Sequence, residues 1–214
     1  VRTVTLPAKH TAVKDAAVAA TVFKAGKKEG SHCKVCGKVL RKQITVAKLK
    51  PTISLTTSSL KMKASQSTTA FKAAGLAKGD YVTKVTSGNT GIVKVSSVTK
   101  KGTFRLTAGK KAGSTTVKVI LASKKSASFK VTVQRGVVKT SKITVSTKSV
   151  TLKKGTTYRK LASSVKVTPV TSQEKVTYTS SNKKIVTVTS GGVIKGLKKG
   201  TATITIRSGS KRTT

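Results

Sequence analysis

Residues 175–206 constrain the fold more than any other stretch, because they alternate aliphatic residues with Thr or Lys in short runs. A period of two is typical of β-strands that turn one face to a core. The runs are separated at 180–182, 191–192 and 198–200 by Ser, Asn, Lys and Gly residues, a composition that favours tight turns. The pattern therefore predicts four strands, at 176–179, 185–189, 193–194 and 201–206.

A second stretch repeats this organisation upstream. Segment 87–95 aligns with 180–188, and segment 111–115 aligns with 198–201, so the chain carries a diverged tandem pair of modules. Residues 137–141 are predicted as a short linker that permits bending between them. The upstream module has turns at regular spacing, which is typical of a β-sandwich. Its predicted strands are 53–55, 59–62, 68–73, 81–86, 92–98, 103–107, 115–122 and 126–133.

The motifs of the last stretch resemble a known family. In order, they are Tyr178-x-Ser180-Ser181-Asn182, Ile185-Val186-x-Val188, Gly192-x-Ile194-x-Gly196 and Lys199-Gly200-Thr201-Ala202-x-Ile204-x-Ile206. With segments 142–145 and 149–155, they make residues 138–214 resemble the bacterial Ig-like domain of group 2, a module found in tandem in bacterial surface proteins, adhesins and phage structural proteins. The resemblance implies an all-β fold of tandem Ig-like β-sandwiches, at 51–136 and 137–214, after a small N-terminal β-rich unit at 1–50.

The N-terminal unit has its own resemblance. After a short strand predicted at 3–6, it resembles a small repeat that lies beside Ig-like domains in surface proteins of gut Firmicutes. We expect two or three short strands and a tight turn at 33–37, while the alanine-rich run at 16–20 is alternatively one helical turn. The residues that carry the resemblance are His10-Thr11, Asp15 to Thr21, Ala25-Gly26-Lys27, Glu29 to Cys33, Val35-Cys36-Gly37 and Val39-Leu40.

Cys33 and Cys36 form a knuckle, since two thiolates spaced by two residues can face one metal ion and Gly37 lets the chain return. The resemblance implies a quartet of His10, position 22, Cys33 and Cys36, but this chain has Val22 where the repeat usually has cysteine. His32 replaces the missing ligand only if its ring faces Cys33. Three states therefore stay open: a zinc site, a disulfide, and free thiols, which are preferred. No other cofactor is predicted.

The charge balance restricts the class of partner. The chain has 45 Lys and Arg residues and four Asp and Glu residues, a formal net charge of +41. Solubility alone does not require so few acids, because mixed charges avoid self-repulsion. We therefore expect a polyanionic partner or environment, such as an acidic glycan, teichoic acid or nucleic acid. The candidate contacts are lysine pairs at predicted turns: Lys110, Lys111, Lys124, Lys125, Lys153, Lys154, Lys183, Lys184, Lys198 and Lys199.

The residue inventory argues against an enzyme, since the sequence offers no apparent paired carboxylates, Ser/His/Asp set or phosphate-binding glycine loop. Some Ig-like surface domains do form one covalent link, an isopeptide bond between Lys and Asn beside a carboxyl group. The candidates here are Asn89 with Asp80, and Asn182 with Glu174. Because asparagine also belongs in turns for backbone reasons, the turn interpretation is preferred.

The two sandwiches differ at their ends. The first finishes with the alternating strand at 126–133, and the second shows no equivalent after 201–206, so we predict a second sandwich without its closing strand. Three explanations stay open: a trimmed chain, a strand that begins at Thr213 and continues, and a strand donated by a neighbouring chain. Segment 1–6 also alternates and is the candidate donor.

These observations predict a non-catalytic extracellular structural protein of a bacterial surface or filament. It would associate with itself or with other surface proteins through sheet edges. The alternative is a cationic, adhesin-like module that binds polyanions. No apolar run is long enough for a membrane span, no signal peptide is visible, and the abrupt start at Val1 is that expected of a processed or trimmed chain.

Overall fold

The computed structural model describes residues 9–214, so the strand predicted at 3–6 lies outside the described residues. Regular structure in this part is β-strand except for one short helix, α1 at Leu161–Ser164. No helix in residues 9–214 is long and apolar enough to cross a membrane. The prediction of an all-β fold is confirmed.

The N-terminal unit (described from residue 9 to residue 50) consists of small antiparallel sheets. Its strands are β1 (Ala12–Asp15), β2 (Gly26–Lys27), β3 (Gly30–Cys33), β4 (Val39–Arg41) and β5 (Thr45–Val46). They pair in the order β1-β3-β4, and β2 pairs with β5. The helical alternative for residues 16–20 is wrong, because the Val18 backbone bridges Lys27 through two hydrogen bonds of 2.8 Å and is thus held extended.

The first sandwich (residues 51–136) contains nine strands: β6 (Ser54–Leu55), β7 (Ser59–Lys63), β8 (Ser67–Thr68), β9 (Ala73–Ala74), β10 (Val82–Ser87), β11 (Val93–Ser96), β12 (Arg105–Ala108), β13 (Gly113–Leu121) and β14 (Ser126–Gln134). One sheet has the order β10-β13-β14-β7 and a second has β11-β12-β8, while β6 pairs with β9. All these pairings are antiparallel except that of β14 with β7, which is parallel.

The core of the first sandwich takes side chains from both larger sheets. Sixteen apolar residues are buried in it, and along β13 the buried residues recur at every second position, which confirms the period-two pattern. Three phenylalanines occupy its centre. The rings of Phe71 and Phe129 stack with centroids 3.9 Å apart, and Phe104 lies 6.0 Å from Phe71.

The second sandwich (residues 137–214) contains α1 and eight strands: β15 (Lys142–Val145), β16 (Thr157–Tyr158), β17 (Val165–Thr168), β18 (Val176–Ser180), β19 (Val186–Val188), β20 (Ile194–Gly196), β21 (Ile204–Ser208) and β22 (Lys211–Thr213). They pair as β18-β21-β22, β16-β20-β19 and β15-β17. The core cluster of this sandwich has only four buried apolar residues, and ten more are partly buried around them. The second core is therefore much less enclosed than the first.

The strand predictions for 175–206 are confirmed in number and order, as β18 to β21. The single strand predicted at 68–73 is wrong, because two short strands, β8 and β9, replace it. Between them the Ala70 backbone N–H donates to the Thr68 hydroxyl at 3.2 Å, and Phe71 is buried.

The five residues predicted as a bending linker, 137–141, are instead packed into the second sandwich. Val138 and Thr140 are 2% and 3% exposed. The Thr140 hydroxyl lies 2.7 Å from those of both Ser172 and Ser208. These bonds satisfy buried polar groups, which holds the segment in one place.

Contacts also cross the junction between the two sandwiches. The Gln66 side chain donates to the Thr171 carbonyl at 3.0 Å, and the Thr171 hydroxyl donates to the Lys61 carbonyl. Thr171 is 2% exposed. Because these groups are polar, paired and partly buried, they favour one relative orientation of the sandwiches.

Candidate functional site

The knuckle of the N-terminal unit brings three predicted metal ligands together. Cys33 ends β3 and is buried, while Cys36 lies exposed in the turn that follows. Gly37 has a φ of 70°, and its N–H donates to the Cys33 carbonyl at 2.9 Å, which closes the predicted turn. His10 Nδ1 lies 3.5 Å from Cys36 Sγ. One donor atom from each of His10, Cys33 and Cys36 lies within 4.8 Å of the others.

His32 does not join this cluster. Its Nδ1 atom lies 2.7 Å from the Asp15 carboxylate, across the β1–β3 pair. Successive side chains of a strand point to opposite faces, so His32 and Cys33 diverge although they are neighbours in sequence. The same pairing explains the position of His10. The register joins Ala12 to Cys33, and this places the residues before β1 beside the knuckle.

The environment of Cys33 favours its thiolate. The backbone N–H of Cys36, and then that of Val35, donates toward the sulfur and lowers its pKa. The His10 side chain acts in the same direction and burial opposes it, with the result that the pKa of Cys33 falls to about 6. A thiolate is the form that binds metal ions.

The lysines predicted to contact polyanions are all exposed, at positions 110, 111, 124, 125, 153, 154, 183, 184, 198 and 199. In residues 9–214 the ion pairs are His32 with Asp15 and Arg41 with Glu29, so no lysine of this part pairs with a carboxylate. The sandwiches therefore present their lysine charge to solvent. Any recognition by this surface would depend on the sum of many exposed charges.

The isopeptide candidates have other partners. Asn89 and Asn182 are exposed and lie in turns, where their side-chain oxygens accept from Gly91 and Lys184 at 2.9 and 3.0 Å. The Asp80 carboxylate accepts from Ser123, while that of Glu174 accepts from the Thr140 backbone N–H at 2.7 Å. No hydrogen bond in the described part of the chain joins either asparagine to its candidate carboxylate.

Within residues 9–214, β22 is the last strand of the second sandwich. In the place of the closing strand predicted to be missing, residues 9–214 contain only the short strand β22, which pairs with β21 from Ser208↔Lys211 to Ile206↔Thr213. In the first sandwich, β14 pairs with β13 over eight residue pairs, and its last five residues also pair with β7. By its register, β22 corresponds to the start of β14, with Arg212 and Thr213 in the places of Ser126 and Ala127.

Segment 149–153 is the counterpart of β7. Ser65 and Gly155 follow the two segments with φ values of 63° and 82°, and β8 and β16 come next in each case. In the first sandwich, β14 covers β7, and Leu60 is 2% exposed. Within residues 9–214 no strand pairs with 149–153, and Val150, the counterpart of Leu60, is 37% exposed.

A cavity of about 650 Å³ opens into the second core beside this segment. Its apolar lining includes Val150, Leu152, Leu161, Ile194 and Ile206. We call the cavity and segment 149–153 together the open edge. It combines unpaired strand backbone with exposed core side chains, the two features that allow another strand to add to a sheet.

Residues 139–214 match the bacterial Ig-like domain (group 2) family. The match covers about a third of the chain and lies within the second sandwich. The resemblance of residues 138–214 to that family is thereby confirmed, while the match extends neither to the N-terminal unit nor to the first sandwich. No curated protein sequence matches the chain.

Among solved structures, similarity is found to domains 4–9 of the surface layer protein SbsC, at 19% identity and a TM-score of 0.40 over 89% of this chain and 34% of that one. SbsC domains 4 and 5 give 24% identity and a TM-score of 0.35 over 51% of this chain and 65% of that one. The bacterial integrin-binding protein invasin gives 13% identity and a TM-score of 0.29 over 89% of this chain and 44% of that one. The chain thus spans between a third and two thirds of these S-layer structures.

Sequence reasoning missed the residues that line the open edge. The sequence does indicate that the second module lacks a counterpart of the strand at 126–133. This difference does not show which segment of the second module is left uncovered. That segment became visible only through the parallel pairing of β14 with β7. The two partners lie about 70 residues apart in the chain, and no local pattern reports such a pairing.

Proposed function

We propose that this chain is a non-catalytic structural segment of an extracellular bacterial surface or filament protein, and that it assembles by strand donation into the open edge. The observation that carries this proposal is the uncovered segment 149–153 beside the cavity, in a sandwich whose counterpart is closed by β14. A strand placed there would pair with β21 beyond β22 and would cover Val150 and Leu152. Burial of apolar surface and backbone hydrogen bonds would hold it.

The proposed occupant is segment 1–6 of a second copy. It reads Val-Arg-Thr-Val-Thr-Leu, and Val4 and Leu6 alternate with Thr3 and Thr5. The part of β14 that covers β7 has a comparable alternation, in Val131-Thr132-Val133. Val4 and Leu6 would enter the cavity, while the threonines would face solvent.

The tandem arrangement supports a spacing role. The bonds of Thr171 with Lys61 and Gln66 cross the junction, and segment 137–141 is packed rather than free. Sandwiches coupled in this way would keep a fixed distance between the two ends of the tandem pair. The match of residues 139–214 to a bacterial Ig-like domain supports the same class of role.

Light scattering at low and high salt tests this proposal. We expect the full chain to form dimers or larger assemblies that persist at high salt, since apolar burial strengthens and the repulsion between +41 copies is screened. A chain without residues 1–7 is expected to be monomeric. Val4→Asp should also abolish assembly, and Thr3→Asp is the matched control, because it adds the same charge on the solvent-facing side of the donated strand.

Three results would count against the assignment. A full chain that is monomeric at every salt concentration rules out donation by segment 1–6. Undiminished assembly after removal of residues 1–7 would mean that another part of the chain, or another protein, occupies the open edge. Failure of Val4→Asp and Thr3→Asp to differ would also count against a donated strand with one buried face.

The exposed lysines favour a second candidate function, in which the sandwiches hold polyanions. Using random-sequence duplex DNA as the probe, we expect affinity to fall by about 10³-fold or more between roughly 50 and 200 mM salt if six or more phosphates are neutralised. Replacing Lys124 and Lys125 by glutamine should lower the slope of log K against log salt by about 2. Arg41→Gln is the control, since Arg41 already pairs with Glu29. A salt-independent affinity would exclude this function.

A further inference from the structure

We propose that the N-terminal unit binds one zinc ion through His10, Cys33 and Cys36, with water at the fourth position. The three donor atoms lie within 4.8 Å of one another, and the Nδ1–Sγ distance between His10 and Cys36 is 3.5 Å. Zinc bonds of about 2.3 Å to sulfur and about 2.0 Å to nitrogen place tetrahedral ligands roughly 3.5–3.8 Å apart. His10 and Cys36 therefore already have the separation that one ion requires, and the sulfur of Cys33 lies no more than about 1 Å beyond it.

The backbone holds these ligands in place. Cys33 N–H donates to the Lys38 carbonyl and Lys34 N–H donates to the Thr11 carbonyl, each at 2.8 Å. The first bond closes the knuckle, and the second ties it to the residue after His10. A site whose ligands are positioned before the ion arrives loses little entropy on binding.

The donor set selects the class of metal. Two thiolates and an imidazole are soft or intermediate ligands, and they favour zinc over calcium or magnesium, which prefer oxygen. Two thiolates also neutralise the charge of a divalent ion, which matters beside Lys34 and Lys38. His32 is excluded from the set by its bond to Asp15 on the other face of the sheet.

The N-terminal unit has a structural need for such an ion. Among residues 9–50 the only buried apolar residues are Ala20 and Cys33. Val35, Val39 and Ile44 are all more than half exposed. A unit of this size without a core usually depends on a disulfide or a metal. Zinc would join the start of β1 to the end of β3 and so stabilise the small sheet.

Cobalt and zinc titrations of the reduced full chain test this inference. We expect one Co²⁺ per chain, with the absorption bands of tetrahedral cobalt and of thiolate-to-metal charge transfer, and displacement by Zn²⁺. Cys36→Ser should weaken binding by about 100-fold or more, and His10→Ala by about 10–100-fold. His32→Ala is the matched control and should change the affinity by less than about threefold.

Hydrogen exchange supplies a readout independent of affinity. Zinc should slow exchange in peptides from residues 12–41 and leave peptides from both sandwiches unchanged. Absence of thiolate-to-metal bands from the reduced chain, or equal zinc affinity in Cys36→Ser and the unmodified chain, would overturn the site. Loss of binding in His32→Ala but not in His10→Ala would overturn the ligand assignment.

Discussion

Replacing Phe129 with alanine is expected to destabilise the first sandwich by about 3–5 kcal/mol, because it removes a ring from a core that is closed on both sides. Phe129 is 2% exposed and stacks on Phe71 with ring centroids 3.9 Å apart. Its removal would leave a cavity that Phe71 and Phe104 cannot fill without leaving their own contacts. The loss of transfer free energy and the cavity both act in the same direction.

Hydrogen exchange under native conditions measures this change locally, which is preferable in a chain with several units that need not unfold together. Amides of β13 and β14 should lose protection, while those of β18 and β21 should keep it, since the two cores are separate. Phe23→Ala is the matched control, because Phe23 is 44% exposed. Equal losses for Phe23→Ala and Phe129→Ala would contradict the description of the core.

Gly102→Ala is expected to destabilise the first sandwich by about 3 kcal/mol or more, for two reasons that add. Gly102 has a φ of 89°, in a region that L-residues rarely adopt. A Cβ at this position would also lie 2.5 Å from the Ala73 carbonyl oxygen, which is backbone and cannot move aside freely. The Gly102 carbonyl accepts from the Ala73 N–H at 2.9 Å, so any shift of the backbone also weakens that bond.

Two further glycines separate these causes. Gly155 has a φ of 82°, and a Cβ added there would meet no atom within 4 Å, so Gly155→Ala should cost about 1–2 kcal/mol from backbone strain alone. Gly136 has neither a positive φ nor a close neighbour, so Gly136→Ala should be neutral or slightly stabilising, by up to about 1 kcal/mol. Native-state hydrogen exchange, read in the sandwich that holds each glycine, should rank the three variants in this order. A similar loss for Gly102→Ala and Gly155→Ala would show that the contact with Ala73 contributes little.

The open edge and the metal cluster show which features can be predicted from the sequence and which depend on the tertiary structure. The knuckle was predictable, because Cys33, Cys36 and Gly37 are close in sequence and their roles are local. The choice between His10 and His32 as ligand was not, because it depends on which face of β3 each neighbour takes and on the register of β1 with β3. The prediction that segment 137–141 is a bending linker is also wrong. Its buried Thr140 is satisfied by Ser172 and Ser208, which lie 32 and 68 residues away.

The sequence by itself determined the period-two strands, the positions of most turns and the tandem repeat of two β-sandwiches, because side-chain alternation and turn chemistry act between near neighbours. Only the tertiary structure decided which strands cover one another: β14 closes the first core, and β22 covers the second only in part. The tertiary structure likewise decided that the side chain of His10, and not that of His32, lies beside Cys33 and Cys36. The physical reason is the same in each case. Strand pairing joins residues far apart in the chain, and their burial follows from the partner rather than from the local pattern.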